Sequence, residues 1–199
     1  MSSYHHGNLR EALIEEASEL LVEVGLSGLT LREAARRAGV SPGAPYRHFP
    51  DKESLLAELA VRGFQRLGSE LLDTAGRFAE PTERLAQIGN TYILFALAHR
   101  ALHRLMFGGY FDDALHPEVK NASRAAFVPV KVAIEDLVSS RGLPTDDTSA
   151  LELATWSFVH GFASLILNGQ VHDEETTPEF ILALTRKMAR WITGGFGNP

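Results

Sequence analysis

The sequence contains no cysteine, and this absence excludes several kinds of protein. Disulfide scaffolds and thiolate metal sites both need cysteine side chains. The eight histidines are scattered without the spacing of metal ligands, and no G-x-S-x-G nucleophile elbow is present. We therefore expect neither an enzyme nor a protein that holds a metal or a cofactor.

The N-terminal stretch MSSYHHGNLREALIEEA has no apolar core, so we expect no secretory signal. We expect a cytoplasmic protein whose 199 residues form one large or two small domains. The adjacent His5 and His6 have no further metal ligands nearby, so we expect them to belong to an N-terminal arm.

The chain lacks net positive charge, since its formal net charge is −6. Binding to nucleic acid would therefore require that the charge be segregated. Between residues 32 and 52, five basic side chains accompany only two acidic ones. A basic patch on an acidic body confines the attraction for phosphate to one end of the molecule.

The same segment carries the start and stop signals of a short helix. Thr30 and Glu33 form the T-x-x-E pattern of a capping box, which predicts a helix that begins after Thr30. Gly39 predicts its end, because glycine enters the left-handed conformation at low cost. Leucine and alanine form a small apolar face on this helix, and the arginines lie outside that face.

A second short helix is predicted from Pro42 to about Phe49, with Ser41 as its N-cap. Pro45 removes an early hydrogen bond, which favours a partly 3₁₀ geometry. Asp51 predicts the cap of a third, long helix, and Lys52 in its first turn suits a phosphate because helix N-termini are positive. Two short helices around a tight turn are typical of a helix-turn-helix motif, which binds DNA.

The stretch T-L-R-E-A-A-R-R-A-G-V-S-P-G-A-P-Y-R-H-F-P-D-K-E-S-L-L resembles the DNA-binding domain of the TetR/AcrR transcriptional regulators, over roughly residues 5 to 60. The resemblance implies that one set of residues holds phosphates: Thr30, Tyr46, His48 and Lys52. It implies that a second set approaches base edges: Gly43, Ala44, Pro45 and Arg47. Arg32 and Ser41 complete the predicted DNA-binding set.

Helical periodicity continues to the end of the chain and predicts an all-α fold. We expect a three-helix helix-turn-helix domain in residues 1–55 and a helical ligand-sensing and dimerisation domain in residues 56–199. Predicted helices run from Asn8 to Val24, Asp51 to Phe78, Pro81 onward, Ala101 to Phe107, about Glu118 to Ser140, about 146 to 168, and Thr177 onward. Pro129 lies in the fifth of these and predicts a kink that lines a cavity.

The helix near residues 146–168 is apolar on all sides, with Glu152 as its only charged side chain between residues 150 and 167. A membrane span is an alternative, but Glu152, His160 and the acidic flanks argue against it. An all-round apolar helix can also be buried on two sides. We expect one side to meet the domain core, through Phe158, Phe162 and Leu165, and the other a second subunit, so that a homodimer forms through the last two helices.

Within this helix the segment T-W-S-F-V-H-G-F-A resembles the Trp…His-Gly signature of one class of TetR-like sensor domains. We expect a small-molecule effector to enter among six residues: Tyr92, Phe95, Phe107, Phe127, Trp156 and His160. Each aromatic residue taken alone also fits ordinary core packing. For His160 we weigh a bond to a neighbouring helix against a polar contact to a ligand.

The sequence thus predicts a dimeric transcriptional regulator that binds a near-palindromic operator on double-stranded DNA and is released by a small molecule. Repression is the preferred mode, and activation is the alternative within the same class. The competing class is a helical protein-interaction adaptor without DNA affinity. Salt-dependent binding to duplex DNA separates the two classes, because counterion release makes DNA binding fall steeply with salt.

Overall fold

The computed structural model describes residues 9–142, 148–172 and 176–194, and these residues form helices without any strand. The all-α prediction is therefore confirmed. The helices are α1 (Leu9–Gly28), α2 (Leu31–Arg37), a 3₁₀ turn (Ala44–Arg47), α3 (Lys52–Arg77), α4 (Pro81–Ala98), α5 (Arg100–Phe107), α6 (Pro117–Ala126), α7 (Val128–Arg141), α8 (Thr148–Leu167) and α9 (Pro178–Gly194). The predicted cap at Asn8 and the His5–His6 arm lie outside the described residues.

The chain divides into two compact units. The first holds the chain up to Phe64 together with Ala101–Ser123. The second holds Gln65–Arg100 together with the chain from Arg124 onward. The sequence-based division after residue 55 is a single cut, whereas the compact units interleave along the chain, because Ala101–Ser123 belongs to the first unit.

The core of the first unit begins on α1, which buries one stripe of apolar side chains: Leu13, Ile14, Ala17, Leu20 and Leu21. The helix is interrupted at Gly25, whose φ of 68° and ψ of −175° are not helical. Val24, just before this interruption, is 47% exposed. The predicted end of the regular helix at Val24 agrees with this interruption.

The predicted single kinked helix from Glu118 to Ser140 is wrong, because the structure has two helices, α6 and α7, separated at Phe127. Pro129 stands in the first turn of α7, where its missing N–H costs nothing. In a continuous helix the proline ring would meet the carbonyl four residues earlier. One helix therefore ends and another begins at this point. The Phe127 carbonyl accepts hydrogen bonds from the backbone N–H groups of Val130 and Lys131, at 3.1 Å each.

The core of the second unit joins α4, α7 and α9 through a fully buried cluster: Leu85, Ala86, Ile134, Leu137, Val138 and Ala189. The helix α8 packs against all three of these helices. Its buried face consists of Thr155, Val159, Ala163 and Ile166. The predicted core face through Phe158, Phe162 and Leu165 is therefore wrong: the first two are half-buried and Leu165 is 43% exposed.

Large apolar side chains remain exposed on the outer faces of the last two helices. Leu153 and Leu165 of α8 are 65% and 43% exposed, and Phe180 and Trp191 of α9 are 38% and 43% exposed. By length and composition α8 could also cross a membrane, but one such helix is weak evidence, because the core helix of a soluble protein has the same properties. Exposed large apolar side chains on two successive helices favour an interaction surface there.

Candidate functional site

The turn between α1 and α2 ends in the predicted N-cap. Thr30 has extended backbone angles, and its Oγ1 accepts a hydrogen bond from the backbone N–H of Glu33 at 3.1 Å. The carboxylate of Glu33 is held by Arg36 and Arg37 rather than by the backbone of Thr30, so the capping box is only half formed. At the other end of α2, Gly39 has the predicted left-handed conformation with a φ of 69°.

The second short helix differs from its prediction in extent and in cap. Only Ala44–Arg47 is helical, and all of it is a 3₁₀ turn. The residue at the N-cap is Gly43, without a side-chain cap bond, and Ser41 contributes its backbone carbonyl, which accepts from Ala44 N–H at 3.0 Å. Pro45 stands in the first turn of this short helix, where an N–H has no partner within the helix, so its missing donor is tolerated there.

The 3₁₀ turn presents three polar side chains to solvent in succession. Tyr46 is 50% exposed, and Arg47 and His48 are also exposed. Gly43 stands in front of them in open space, since a Cβ added there would meet no atom within 4 Å. Pro45, which the resemblance places among the residues that approach base edges, has a buried side chain.

The arginines of α2 differ in whether they form ion pairs. Arg36 pairs with Glu33 at 2.6 Å, and Arg37 pairs with Glu23 at 2.5 Å. The hydrogen bond from Arg36 lowers the pKa of Glu33 to about 2, so this carboxylate stays ionised and keeps its arginine neighbours compensated. Arg32 is exposed and makes no ion pair with any residue that the structure describes, which leaves its charge available for phosphate.

The first turn of α3 is fixed from two sides. Asp51 accepts from the backbone N–H of Ser54 at 2.8 Å, as predicted for its cap. Lys52 donates from Nζ to the backbone carbonyl of Leu26 at 2.5 Å. That carbonyl follows the interruption of α1 at Gly25, and Lys52 is half-buried. Lys52 therefore ties α3 to the end of α1, and two of its three N–H donors remain for a phosphate.

Sequence reasoning did not identify His116, which lies in the loop before α6. Its Nε2 is 3.1 Å from the carboxylate of Glu53 on α3, and its Nδ1 is 3.0 Å from that of Glu118 on α6. Phe111 covers the ring edge-on, with centroids 5.5 Å apart. Burial alone would lower the pKa of His116, but the carboxylates of Glu118 and Glu53 outweigh it and raise the pKa. The only signal in the sequence is the short spacing between His116 and Glu118.

We expect the stabilisation from His116 to weaken as pH rises. Because its folded pKa lies above the unfolded value of 6.5, its contribution is complete below pH 6.5 and is lost as pH rises through the folded pKa. Urea unfolding of wild type and His116→Gln should therefore give free energies of unfolding that differ more at pH 6 than at pH 8.5. A difference that is equal at both pH values would contradict the assigned protonated state.

An aromatic cluster in the second unit joins α4, α8 and the break between α6 and α7. The Trp156 ring meets Phe127 edge-on with centroids 4.8 Å apart and Tyr92 edge-on at 5.3 Å. It stacks on His160 at 4.6 Å with an interplanar angle of 21°. Four of the six residues predicted to surround an effector are thus brought into one cluster, which we call the Tyr92 cluster.

A hydrogen bond of 2.8 Å joins the Tyr92 hydroxyl to Nδ1 of His160. Burial raises the pKa of Tyr92 and lowers the pKa of His160, so both groups are neutral near pH 7. A neutral phenol can donate to this nitrogen or accept from it, and the tautomer of the imidazole sets the direction. The bond to a neighbouring helix that was weighed for His160 is present.

The other two predicted effector residues lie elsewhere. Phe95 is buried on α4, and its ring packs on His99 with centroids 4.8 Å apart. Phe107 belongs to the first unit, where it meets Phe64 edge-on at 5.2 Å and His103 at 4.7 Å. Helical periodicity along one element cannot tell that two aromatic residues fall in different units.

Short capped helices that present an exposed 3₁₀ turn, followed by a helical unit with an aromatic cluster, define a helix-turn-helix DNA-binding transcriptional regulator. Residues 13–59 match the family model for bacterial regulatory proteins of the tetR family, and residues 85–188 match the tetracyclin repressor-like C-terminal domain. The chain belongs to the TetR family of transcriptional regulators. Regulators of this family bind DNA and small-molecule effectors and act as dimers.

Individual relatives agree with this membership. An uncharacterized HTH-type transcriptional regulator of Mycobacterium tuberculosis is 28% identical over 193 residues, which cover 94% of this chain and 84% of the relative. A solved structure of a protein of unknown function from Rhodococcus sp. RHA1 has a TM-score of 0.85 at 32% identity and covers 97% of this chain and 100% of that one. The class C tetracycline repressor of Escherichia coli is 53% identical over 51 residues, 26% of this chain and 23% of the repressor.

Proposed function

We propose that this protein is a cytoplasmic homodimeric repressor that binds a near-palindromic operator and releases it when a small molecule binds the Tyr92 cluster. The observation that carries the DNA-binding part is the exposed run of Tyr46, Arg47 and His48 on the 3₁₀ turn, directly behind the open backbone at Gly43. Residues 1–55 supply this surface, and residues 56–199 supply sensing and dimerisation.

Phosphates are bound by side chains around the turn, and bases are read by the turn itself. Thr30, Tyr46, His48 and Lys52 donate to phosphates, and Arg32 adds a charge that no ion pair compensates among the residues that the structure describes. Gly43 and Ala44 bring the backbone close to the groove, Ser41 flanks it, and Arg47 contacts a base edge. An arginine in the major groove recognises guanine through two hydrogen bonds, which gives sequence preference.

The effector is an apolar or weakly polar molecule. Three aromatic rings and one neutral imidazole form the Tyr92 cluster, and such a lining favours apolar ligands with few hydrogen-bonding groups. An effector acts only through its different affinity for the DNA-competent and DNA-incompetent conformers.

Dimerisation uses the outer faces of α8 and α9. The exposed Leu153, Leu165, Phe180 and Trp191 give these faces the apolar character of a subunit interface. Two-fold symmetry then places two 3₁₀ turns in successive major grooves, with half-site centres about 34–36 Å apart.

Selection of bound fragments from random duplexes by the purified full chain tests this function. We expect a recovered motif with two-fold symmetry and about one helical turn between half-site centres. Its affinity should fall by about 10³–10⁵ between 50 and 200 mM salt, as for proteins that contact about 6–10 phosphates. Recovery of no motif, together with salt-independent binding to protein partners, would favour the adaptor class instead.

A further inference from the structure

His116 is held in a fixed orientation within the first compact unit. Its side chain is 12% exposed, and the ring of Phe111 lies edge-on against it with centroids 5.5 Å apart. Its backbone N–H donates to the carbonyl of Asp112 at 2.8 Å, and its own carbonyl accepts from the N–H of Val119 at 3.1 Å. The backbone on both sides and the covering ring therefore determine where the imidazole points.

Both nitrogens of this imidazole face a carboxylate. Nε2 lies 3.1 Å from Glu53 in the first turn of α3, and Nδ1 lies 3.0 Å from Glu118 in the first turn of α6. A neutral imidazole has one N–H and would turn a lone pair toward one of the carboxylates, whereas the imidazolium donates to both. The geometry therefore fits the charged form. Burial lowers the pKa of His116, the carboxylates of Glu118 and Glu53 raise it, and the net direction is upward.

The other charged groups around this contact have partners of their own. Asp51, at the start of α3, accepts two hydrogen bonds of 2.8 Å within the first turn of that helix. These bonds lower the pKa of Asp51, and the nearby His116 lowers it further. Lys120 of α6 pairs with Asp113 of the preceding loop. Among the residues that the structure describes, His116 is the cation that pairs with Glu53.

Glu53 lies at the edge of the proposed phosphate-binding surface, because it directly follows Lys52. The Nζ of Lys52 is held on the carbonyl of Leu26 at 2.5 Å, and its remaining donors are proposed above to bind a phosphate. The Glu53 side chain is 51% exposed. An uncompensated carboxylate at this place repels a phosphate, whereas a carboxylate paired with an imidazolium adds no net charge. A charged His116 therefore favours phosphate binding at the first turn of α3.

We propose that charged His116 is a positioning residue of the DNA-binding surface: it neutralises Glu53 beside Lys52 and anchors the loop before α6 to the first turn of α3. The proposal rests on the function proposed above. Duplex binding is then strongest when His116 carries its proton, and it weakens as pH rises and the imidazole becomes neutral. Binding and protonation are linked reciprocally, so duplex binding also favours uptake of a proton.

His116→Gln and His116→Arg test this role in opposite directions, because glutamine is uncharged and arginine keeps its charge at any pH used. With the duplex that wild type selects, His116→Gln should bind about 5- to 25-fold more weakly than wild type at pH 6, because one unit charge contributes about fivefold in water and a homodimer has two such sites. At pH 8.5 it should bind as tightly as wild type. His116→Arg should match wild type at pH 6 and bind more tightly by about the same factor at pH 8.5. Fluorescence anisotropy titrations at one fixed salt concentration measure these affinities.

The affinity ratio between wild type and His116→Gln isolates His116. The exposed His48 also gains a proton as pH falls, but both proteins contain it. A ratio that is equal at pH 6 and pH 8.5, with the variant folded by circular dichroism, would overturn the proposal and leave the proposed DNA-binding function standing. A folded His116→Arg that binds as weakly as His116→Gln at pH 8.5 would do the same. Failure of wild type to select any duplex would instead remove the proposed function and this role with it.

An exposed partner of the imidazole covers the case in which the His116 variants do not fold. Glu53→Gln removes one carboxylate from His116 and leaves the imidazole in place, so the pH at which duplex binding weakens should move downward. Glu70→Gln removes the same charge from α3 at a residue that pairs with Arg66, and it should leave that pH unchanged. Identical pH profiles of duplex affinity for the two variants would overturn the proposal.

Discussion

Arg47→Ala is expected to flatten the sequence preference of the protein while leaving much of its general affinity for DNA. Arg47 is exposed on the 3₁₀ turn, and a bidentate contact from arginine to guanine contributes about 1–3 kcal/mol of discrimination. Preference for the selected duplex over one altered at the contacted base pair should therefore fall by about 5- to 150-fold. Competition titrations with the two duplexes at one fixed salt concentration measure this ratio.

Two further variants separate base reading from simple loss of charge. Arg66→Ala removes the same charge from a residue that pairs with Glu70 at 3.0 Å on α3, and it should leave the preference unchanged. Tyr46→Phe removes a proposed phosphate contact, so it should weaken binding to both duplexes equally. If Arg47→Ala also weakens both duplexes by the same factor, Arg47 is a phosphate contact and the bases are read by another residue.

Local chemistry explains which parts of the fold could be predicted. The caps at Thr30 and Asp51 and the glycine stop at Gly39 depend on residues three or fewer positions apart, and all three are confirmed. The cap of α9 belongs with them, since Thr177 Oγ1 accepts from Phe180 N–H at 3.2 Å. Such signals act within one turn of chain, so sequence alone specifies them.

Orientation of an all-round apolar helix could not be predicted in the same way. The predicted face of α8 ran through Phe158 and Leu165, whereas the buried face runs through Thr155 and Val159. A helix with apolar side chains on every side has no side of low hydrophobicity that would mark its solvent-exposed face. Its orientation depends on packing against the side chains of α4, α7 and α9, and the local sequence does not specify these tertiary contacts.

Contacts distant in sequence were likewise beyond prediction. Lys52 and Leu26 are 26 positions apart, and Tyr92 and His160 are 68 apart. Sequence reasoning named both Tyr92 and His160 as site residues without predicting that they bond to each other. A histidine inside the fold needs a hydrogen-bond partner, but the topology of the fold decides which residue supplies it.

The bond between Tyr92 and His160 leads to the second large effect, on stability. Tyr92 is 2% exposed, and truncation of a buried aromatic residue costs about 3–5 kcal/mol, so Tyr92→Ala should destabilise the protein by this amount. Tyr92→Phe keeps the ring and removes the hydroxyl that bonds to His160, so it should cost about 0.5–1.5 kcal/mol, the typical net contribution of one hydrogen bond. Urea unfolding at pH 7.5 measures both losses.

The same substitution at an exposed position provides the control. Tyr110 is 52% exposed, so Tyr110→Phe should change the free energy of unfolding by less than about 0.5 kcal/mol. A small loss for Tyr92→Ala would mean that the Tyr92 cluster is loosely packed and collapses or fills with water when truncated, as expected of a pocket that must admit a ligand. A full loss with Tyr92→Phe close to wild type would instead show that ring packing, without the hydroxyl, holds α4 against α8.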